Sequence, residues 1–189
     1  KEKGITVHPI LKITKLLKIL KDAGKITEQQ FNDTVAFIKA TKEKIKLRMA
    51  IDGPSGSGKT YTALAIASHL IPNGKIAVID TERKSARKYA DLFKFDVDDS
   101  LDTFHPQRFI DRIKGAEKAG YDVLIIDSLS HAWMGKDGIL ALVDQEAGRS
   151  HSKNSFAAWK DITPIHQSLI DAILAVDMHV IVTLRTKTE

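Results

Sequence analysis

Hydrophobic positions follow two different rhythms along this chain. Over residues 8–45 the period is helical. Ile10, Ile13, Leu16, Leu17 and Leu20 recur at helical spacing, with Lys12, Lys15, Lys18 and Lys21 opposite. Gly24, within Asp22-Ala23-Gly24-Lys25, predicts the end of that helix. Thr27-Glu28-Gln29-Gln30 has the form of a capping box, in which Thr27 and Gln30 satisfy each other's backbone amides. Phe31, Val35 and Ile38 continue as an apolar stripe. The pattern predicts a helical hairpin with one apolar face. That face suits packing against the rest of the chain or docking on a neighbouring subunit.

From Lys46 the rhythm changes to short apolar runs alternating with helical stretches. Strands are predicted at 46–52, 75–80, 101–104, 121–127 and 179–184. Helices are predicted over 58–71, 84–94, 107–119 and 160–176. Pro72-Asn73-Gly74 and Gly120 punctuate the order, and residues 130–156 show no regular period. Alternating strands and helices imply an α/β fold, a mainly parallel sheet with helices on both faces. The expected organisation is an N-terminal helical appendage over 1–45 and an α/β core over 46–189. Ligands of such sheets bind beyond the carboxyl ends of the strands, where Glu82, Asp127 and Thr183 would lie.

Composition narrows the field. The chain has 189 residues, 43% of them hydrophobic and 28% charged, which are ordinary globular values. It has no cysteine, which excludes disulfides and cysteine-held zinc and is compatible with a reducing compartment. No apolar run approaches a membrane span and no signal peptide is recognisable, so no membrane partner and a cytoplasmic location are expected. The net charge of +5 leans toward a polyanionic partner, although much of the excess lies in residues 1–48.

Chemistry enters at Gly53-Pro54-Ser55-Gly56-Ser57-Gly58-Lys59-Thr60, which fits the phosphate-loop pattern G-x-x-x-x-G-K-[ST]. Its glycines permit backbone turns that aim successive N–H groups at phosphate oxygens. Lys59 adds a point charge for the outer phosphates, Thr60 offers a hydroxyl to Mg2+, and the following helix presents its positive end. Tyr61 completes the expected nucleotide-binding set. A Gly/Ser-rich surface loop would lack the strand before and the helix after. Asp127 closes the apolar run Val123-Leu124-Ile125-Ile126, the form of a Walker B acid that holds Mg2+ beside Thr60.

Hydrolysis also needs a group that orients or deprotonates water. Ser128 follows Asp127 and cannot act as a base, which leaves Glu82, provided its strand neighbours that of Asp127. The base-reading pattern Asn-Lys-x-Asp for guanine is absent, which favours ATP.

Ile79-Asp80-Thr81-Glu82, Ser85-Ala86-Arg87-Lys88-Tyr89-Ala90 and Tyr121 to Ser128 together resemble the RecA-type ATPase core over residues 46–185. In size and plan the chain is similar to phage-encoded RecA-like ATPases associated with single-strand annealing, often labelled only AAA-family ATPases. The resemblance implies an ATPase in which Gly53 to Thr60 bind the triphosphate and Mg2+. Glu82 would activate water and Asp127 would support the metal. The end of the last strand, Thr183 and Arg185, would sense the γ-phosphate. RecA has a Gln near the Thr183 position and this chain has none, so ATP-to-DNA switching of that kind is not expected in its usual form. Arg185 and Lys187 would either reach a phosphate, their own or a neighbouring subunit's, or form a solvated strand end. Residues 135–156 fall where the family faces DNA. There Lys136, Arg149 and Lys153 would contact single-stranded DNA phosphates and His151 would stack on a base. Trp133, Phe156 and Trp159 read instead as core anchors. The family's second DNA loop would follow Lys187, so the core is expected to be incomplete at its C-terminal side. The resemblance further implies a homo-oligomer in a bacterial or phage-infected host cytoplasm.

Two other classes remain open. The phosphate loop is close to that of small-molecule and nucleotide kinases, although residues 135–156 hold only Arg149 where a kinase lid would be Arg-rich. A nucleotide-gated adaptor without catalysis is the other. An ABC-type ATPase is disfavoured by the missing Leu-Ser-Gly-Gly-Gln signature and by Ser128.

Overall fold

The computed structural model describes residues 13–82, 84–149 and 155–186, and the side chains of residues 13–15 and 37–44 are not described. It divides into two compact units, residues 1–45 and 46–189.

The first unit contains α1 (Ile13–Asp22) and α2 (Glu28–Lys44). Gly24 adopts a left-handed φ of 64° between them. Thr27 caps α2 reciprocally. Its hydroxyl accepts the Gln30 amide at 3.1 Å, and the Thr27 amide donates to Gln30 Oε1 at 2.9 Å. Lys21 pairs with Glu28 at 2.6 Å and lies 5.1 Å from the Phe31 ring centroid. On α1, Leu16 and Ile19 are exposed.

The second unit carries a five-stranded parallel sheet: β1 (Arg48–Gly53), β2 (Ile76–Asp80), β3 (Asp96–Asp98), β4 (Val123–Asp127) and β5 (His179–Arg185). The strand order is β1-β5-β4-β2-β3. Strand alternation builds two cores. Ala77, Ile79, Leu124, Ile126, Val180 and Val182 face one side, packing with Phe109, Ile110 and Ile113 of α4 (Pro106–Lys118) and Leu169 and Ile173 of α7 (Ser155–Ala175). Ile76, Val78, Val123, Ile125 and Ile181 face the other, against Ala63, Leu64 and Ala67 of α3 (Lys59–Leu70). A smaller core joins α7 to α6 (Ile139–Arg149) through Ile139, Val143, Ala158 and Ile162. Each fully buried Ile or Leu contributes about 1.5–3 kcal/mol, so the sheet centre dominates stability. The fold is thus of the expected α/β class, a parallel sheet with helices on both faces.

Four expectations are corrected. Residues 84–94 form only a 3-10 turn at Ala86–Tyr89, because the Asp80 carboxylate captures the Ala86 amide at 2.9 Å and folds the segment back. The short strand lies at Asp96–Asp98 rather than 101–104, pairing with Ala77 to Ile79. Within the irregular stretch, residues 130–149 are largely helical, with α5 (Ser130–Met134) and α6 separated by Gly135 and Gly138. Phe156 and Trp133, both expected in the core, are 85% and 38% exposed, although Trp133 stacks on Trp159 at 5.6 Å between centroids. Among the described residues, no helix is long and apolar enough to cross a membrane.

Candidate active site

The sheet order sets the chemistry. β5 lies next to β1 and β4 next to β5, and β2 pairs with β4, with Asp80 opposite Asp127. The Glu82-bearing loop therefore leaves the sheet beside Asp127, as its assignment required. Beyond the strand ends lies a cleft of about 290 Å³, lined by Ser55, Gly56, Gly58, Lys59, Thr60, Glu82, Ser85, Lys88, Tyr89, Asp127 and Arg185.

The phosphate loop runs from the end of β1 into α3. Gly56 and Gly58 take left-handed φ values of 81° and 84°, and a Cβ at Gly53 would sit 2.8 Å from Ser57 Oγ. Lys59 Nζ donates to the carbonyls of Gly53 at 2.9 Å and Pro54 at 2.8 Å, so the ammonium rests against its own loop. Tyr61 does not line the cleft. Its ring packs edge-on against Tyr89 at 5.9 Å and Phe93 at 5.4 Å.

Asp127 is 1% exposed, and both carboxylate oxygens accept hydroxyls. Thr60 Oγ1 donates to Oδ2 at 2.6 Å and Thr183 Oγ1 donates to Oδ1 at 2.5 Å. Thr183 is fully buried and is not part of the cleft lining. Its hydroxyl braces Asp127. Thr60 and Asp127 supply two hard oxygens side by side, and no group of three or more His, Cys, Asp or Glu exists among the described residues. That donor set fits Mg2+, which takes one or two protein oxygens and fills its shell with water and substrate phosphates. It does not fit zinc.

Asp80 is 3% exposed and fixes the loop after β2, accepting the amides of Glu82 at 2.7 Å and Ala86 at 2.9 Å. Burial lifts its carboxyl above the ordinary range and the nearby Asp127 and Asp99 add to this, opposed by the Ala86 amide and Arg87. Glu82 in turn forms an ion pair with Arg185, whose side chain is 42% exposed against 13% for Glu82.

Behind the site, Thr81 closes a hydrogen-bonded ring. Its amide donates to Asp127 O at 2.7 Å, its hydroxyl donates to Ser128 O at 3.0 Å, and it accepts the Ser128 amide at 2.8 Å. His131 Nδ1 lies 2.7 Å from the same hydroxyl, and the His131 ring stacks on Phe104 at 4.9 Å. Burial pushes the His131 pKa down, against the pull of Asp127. A neutral ring with its proton on Nδ1 leaves every partner of Thr81 satisfied. The Asp127–Ser128 peptide bond is cis.

Sequence reading did not single out Ser85, Lys88 and Tyr89 as cleft residues, because no local pattern reports that the loop after β2 folds over the phosphate loop. Lys136 and Arg149 are exposed; Lys136 lies in the turn before α6 and Arg149 is the last residue of α6, where it pairs with Glu146 at 3.2 Å. Lys153, His151 and Lys187 lie outside the described residues.

A family model described as an AAA domain matches residues 45–189. No curated protein matches the chain. A solved structure titled "Crystal structure of the RadB recombinase" is similar at 18% identity and a TM-score of 0.38. That match covers 72% of this chain and 60% of the other, so this chain spans less than two thirds of that protein's length.

Proposed function

This chain belongs to the AAA-domain family, and from that premise we propose that it is a Mg2+-dependent ATPase of the RecA-like kind, acting on single-stranded DNA as a homo-oligomer. One observation carries the proposal: Glu82, Lys59 and Asp127 line a single cleft at the sheet's carboxyl edge. The residues fit a polyphosphate, with Lys59, Lys88 and Arg185 supplying three cations around loop amides.

The reaction is in-line attack of water on the γ-phosphorus, giving ADP and inorganic phosphate. Lys59 moves from its loop carbonyls to the outer phosphates. Thr60 and Asp127 would hold Mg2+, which neutralises charge on the β- and γ-oxygens when bound. Glu82, freed to face the phosphate, orients the water and takes its proton. Asp80 keeps the Glu82 backbone in place during this step. A role in recombination, repair or replication, in phage or bacterial cytoplasm, is the wider reading. The basic chain and the exposed Lys136 and Arg149 support its DNA part.

ATP turnover with and without single-stranded DNA tests this, beside a screen for phosphorylated acceptors. The wild type should release phosphate and label no acceptor. Lys59→Ala should lose both turnover and tight nucleotide binding. Glu82→Gln should bind ATP yet lose turnover by about 100-fold or more, the scale of a positioned acid–base group. Undiminished hydrolysis in Glu82→Gln removes the assignment, and a phosphorylated acceptor substitutes a kinase.

A further inference from the structure

Arg185 is anchored beside the phosphate loop by its backbone while its side chain is spent elsewhere. In the β1–β5 register it stands opposite Gly53, the loop's first residue. Its amide donates to Ser130 Oγ at 2.8 Å. The next amide, Thr186, donates to Gly53 O at 3.3 Å, the carbonyl that also takes the Lys59 ammonium at 2.9 Å. The guanidinium, however, is paired with Glu82 across the cleft. Glu82 is the more fixed partner, since its backbone is tied to Asp80 and its side chain is 13% exposed against 42% for Arg185.

A terminal phosphate entering between Lys59 and Glu82 would compete for this guanidinium. It carries more charge than one carboxylate and matches the planar fork of Arg bidentately. We infer that Arg185 is a two-position latch. With no γ-phosphate in the cleft it holds the Glu82 carboxylate; when a γ-phosphate arrives the guanidinium transfers to it, and Glu82 is released to the water. This rests on the nucleotide reading above. It adds that recognition of the third phosphate and release of the base are one event, and that the ion pair weakens triphosphate binding until it is broken.

The test is a double-variant cycle read as binding, not turnover. Affinities for a non-hydrolysable ATP analogue and for ADP, both with Mg2+, are measured by calorimetry on the full chain, on Glu82→Gln, on Arg185→Ala and on the double variant. Glu82→Gln should tighten the analogue about fivefold and leave ADP unchanged. Arg185→Ala should weaken the analogue about tenfold and leave ADP unchanged. The gain from Glu82→Gln should vanish when Arg185 is absent, a coupling of the usual size between linked groups. Equal effects on analogue and ADP, or a Glu82→Gln gain that survives removal of Arg185, overturn the latch. Should Arg185→Ala not fold, Arg185→Lys keeps the charge without the fork and should still lose most of the gain; a full gain overturns the latch equally. Hydrolysis by Glu82→Gln would refute the base assignment while the binding cycle still decides the latch. Failure of the wild type to bind either nucleotide would refute both.

Discussion

The Asp80 carboxylate accepts the Glu82 amide at 2.7 Å while buried to 3% exposure. A buried acid held above its ordinary pKa is a costly way to close a turn, and its second bond, to Ala86 at 2.9 Å, shows what it organises. Both ends of the loop carrying Glu82 hang from one side chain. Asp80→Ala leaves two amides without acceptors and should destabilise the chain by about 1–3 kcal/mol. Turnover should fall further than ATP affinity, because Glu82 loses its position and the phosphate loop does not. Steady-state kinetics beside analogue binding checks this. Equal losses in both would mean that Asp80 serves stability alone.

The brace on Asp127 makes a second prediction. Thr183→Val keeps the shape and removes the 2.5 Å hydroxyl bond to Oδ1. A partner one shell out typically tunes metal affinity by about 10–100-fold. The Mg2+ concentration needed for half-maximal nucleotide binding should rise about tenfold, and magnesium titration reads it. If Thr183 instead touches the γ-phosphate, the same variant weakens triphosphate binding at saturating Mg2+.

What could be read in advance follows from how local the determinants are. The phosphate loop and the Thr27 capping box were legible because each is written in a few contiguous residues. The placement of Glu82 beside Asp127 was only conditional in the sequence, since it depends on β2 pairing with β4. Residues 84–94 misled because Ala86, Arg87 and Lys88 favour helix locally, whereas the Asp80 carboxylate imposes a turn from outside the segment. The strand at Asp96–Asp98 was hidden by its acids, which an edge strand tolerates on its open side. The Glu82–Arg185 pair spans most of the core in sequence, and no spacing rule reports it.

The DNA reading makes a third prediction. Single-stranded DNA affinity should fall steeply with salt, and Lys136→Ala or Arg149→Ala should each lower the magnitude of the salt slope by about one. Because Arg149 also pairs with Glu146 at 3.2 Å, Glu146→Gln should free it and tighten binding. Fluorescence anisotropy over a salt series measures both. Salt-independent binding would remove phosphate contact from the account.

The last prediction concerns pH. The Leu47 amide donates to His179 Nδ1 at 2.9 Å, joining the approach to β1 with the start of β5, and this bond requires a neutral ring. Burial lowers the His179 pKa, with Lys46 and Arg48 adding to the effect and Asp122 and Asp177 opposing it. Arg48 cannot relieve the crowding by swinging away, since it donates to the carbonyls of Leu174 at 3.0 Å, Val176 at 2.5 Å and Met178 at 2.6 Å. A folded pKa below the unfolded one means that the unfolded chain binds the proton more readily. The stability from His179 is therefore complete above the unfolded value of about 6.5 and drains away as pH falls toward the folded value. Burial works against the charged form of Asp98, but its Ser100 bonds and Arg112 outweigh it and hold its carboxyl below the ordinary value, so its contribution is not lost where the histidine titrates. Denaturant melts of the wild type should thus weaken as pH falls below about 6.5. His179→Gln, which can still accept the Leu47 amide, should weaken less there, keeping only the decline due to His131, whose pKa burial also lowers. An equal decline in both proteins would move the acid sensitivity away from this histidine.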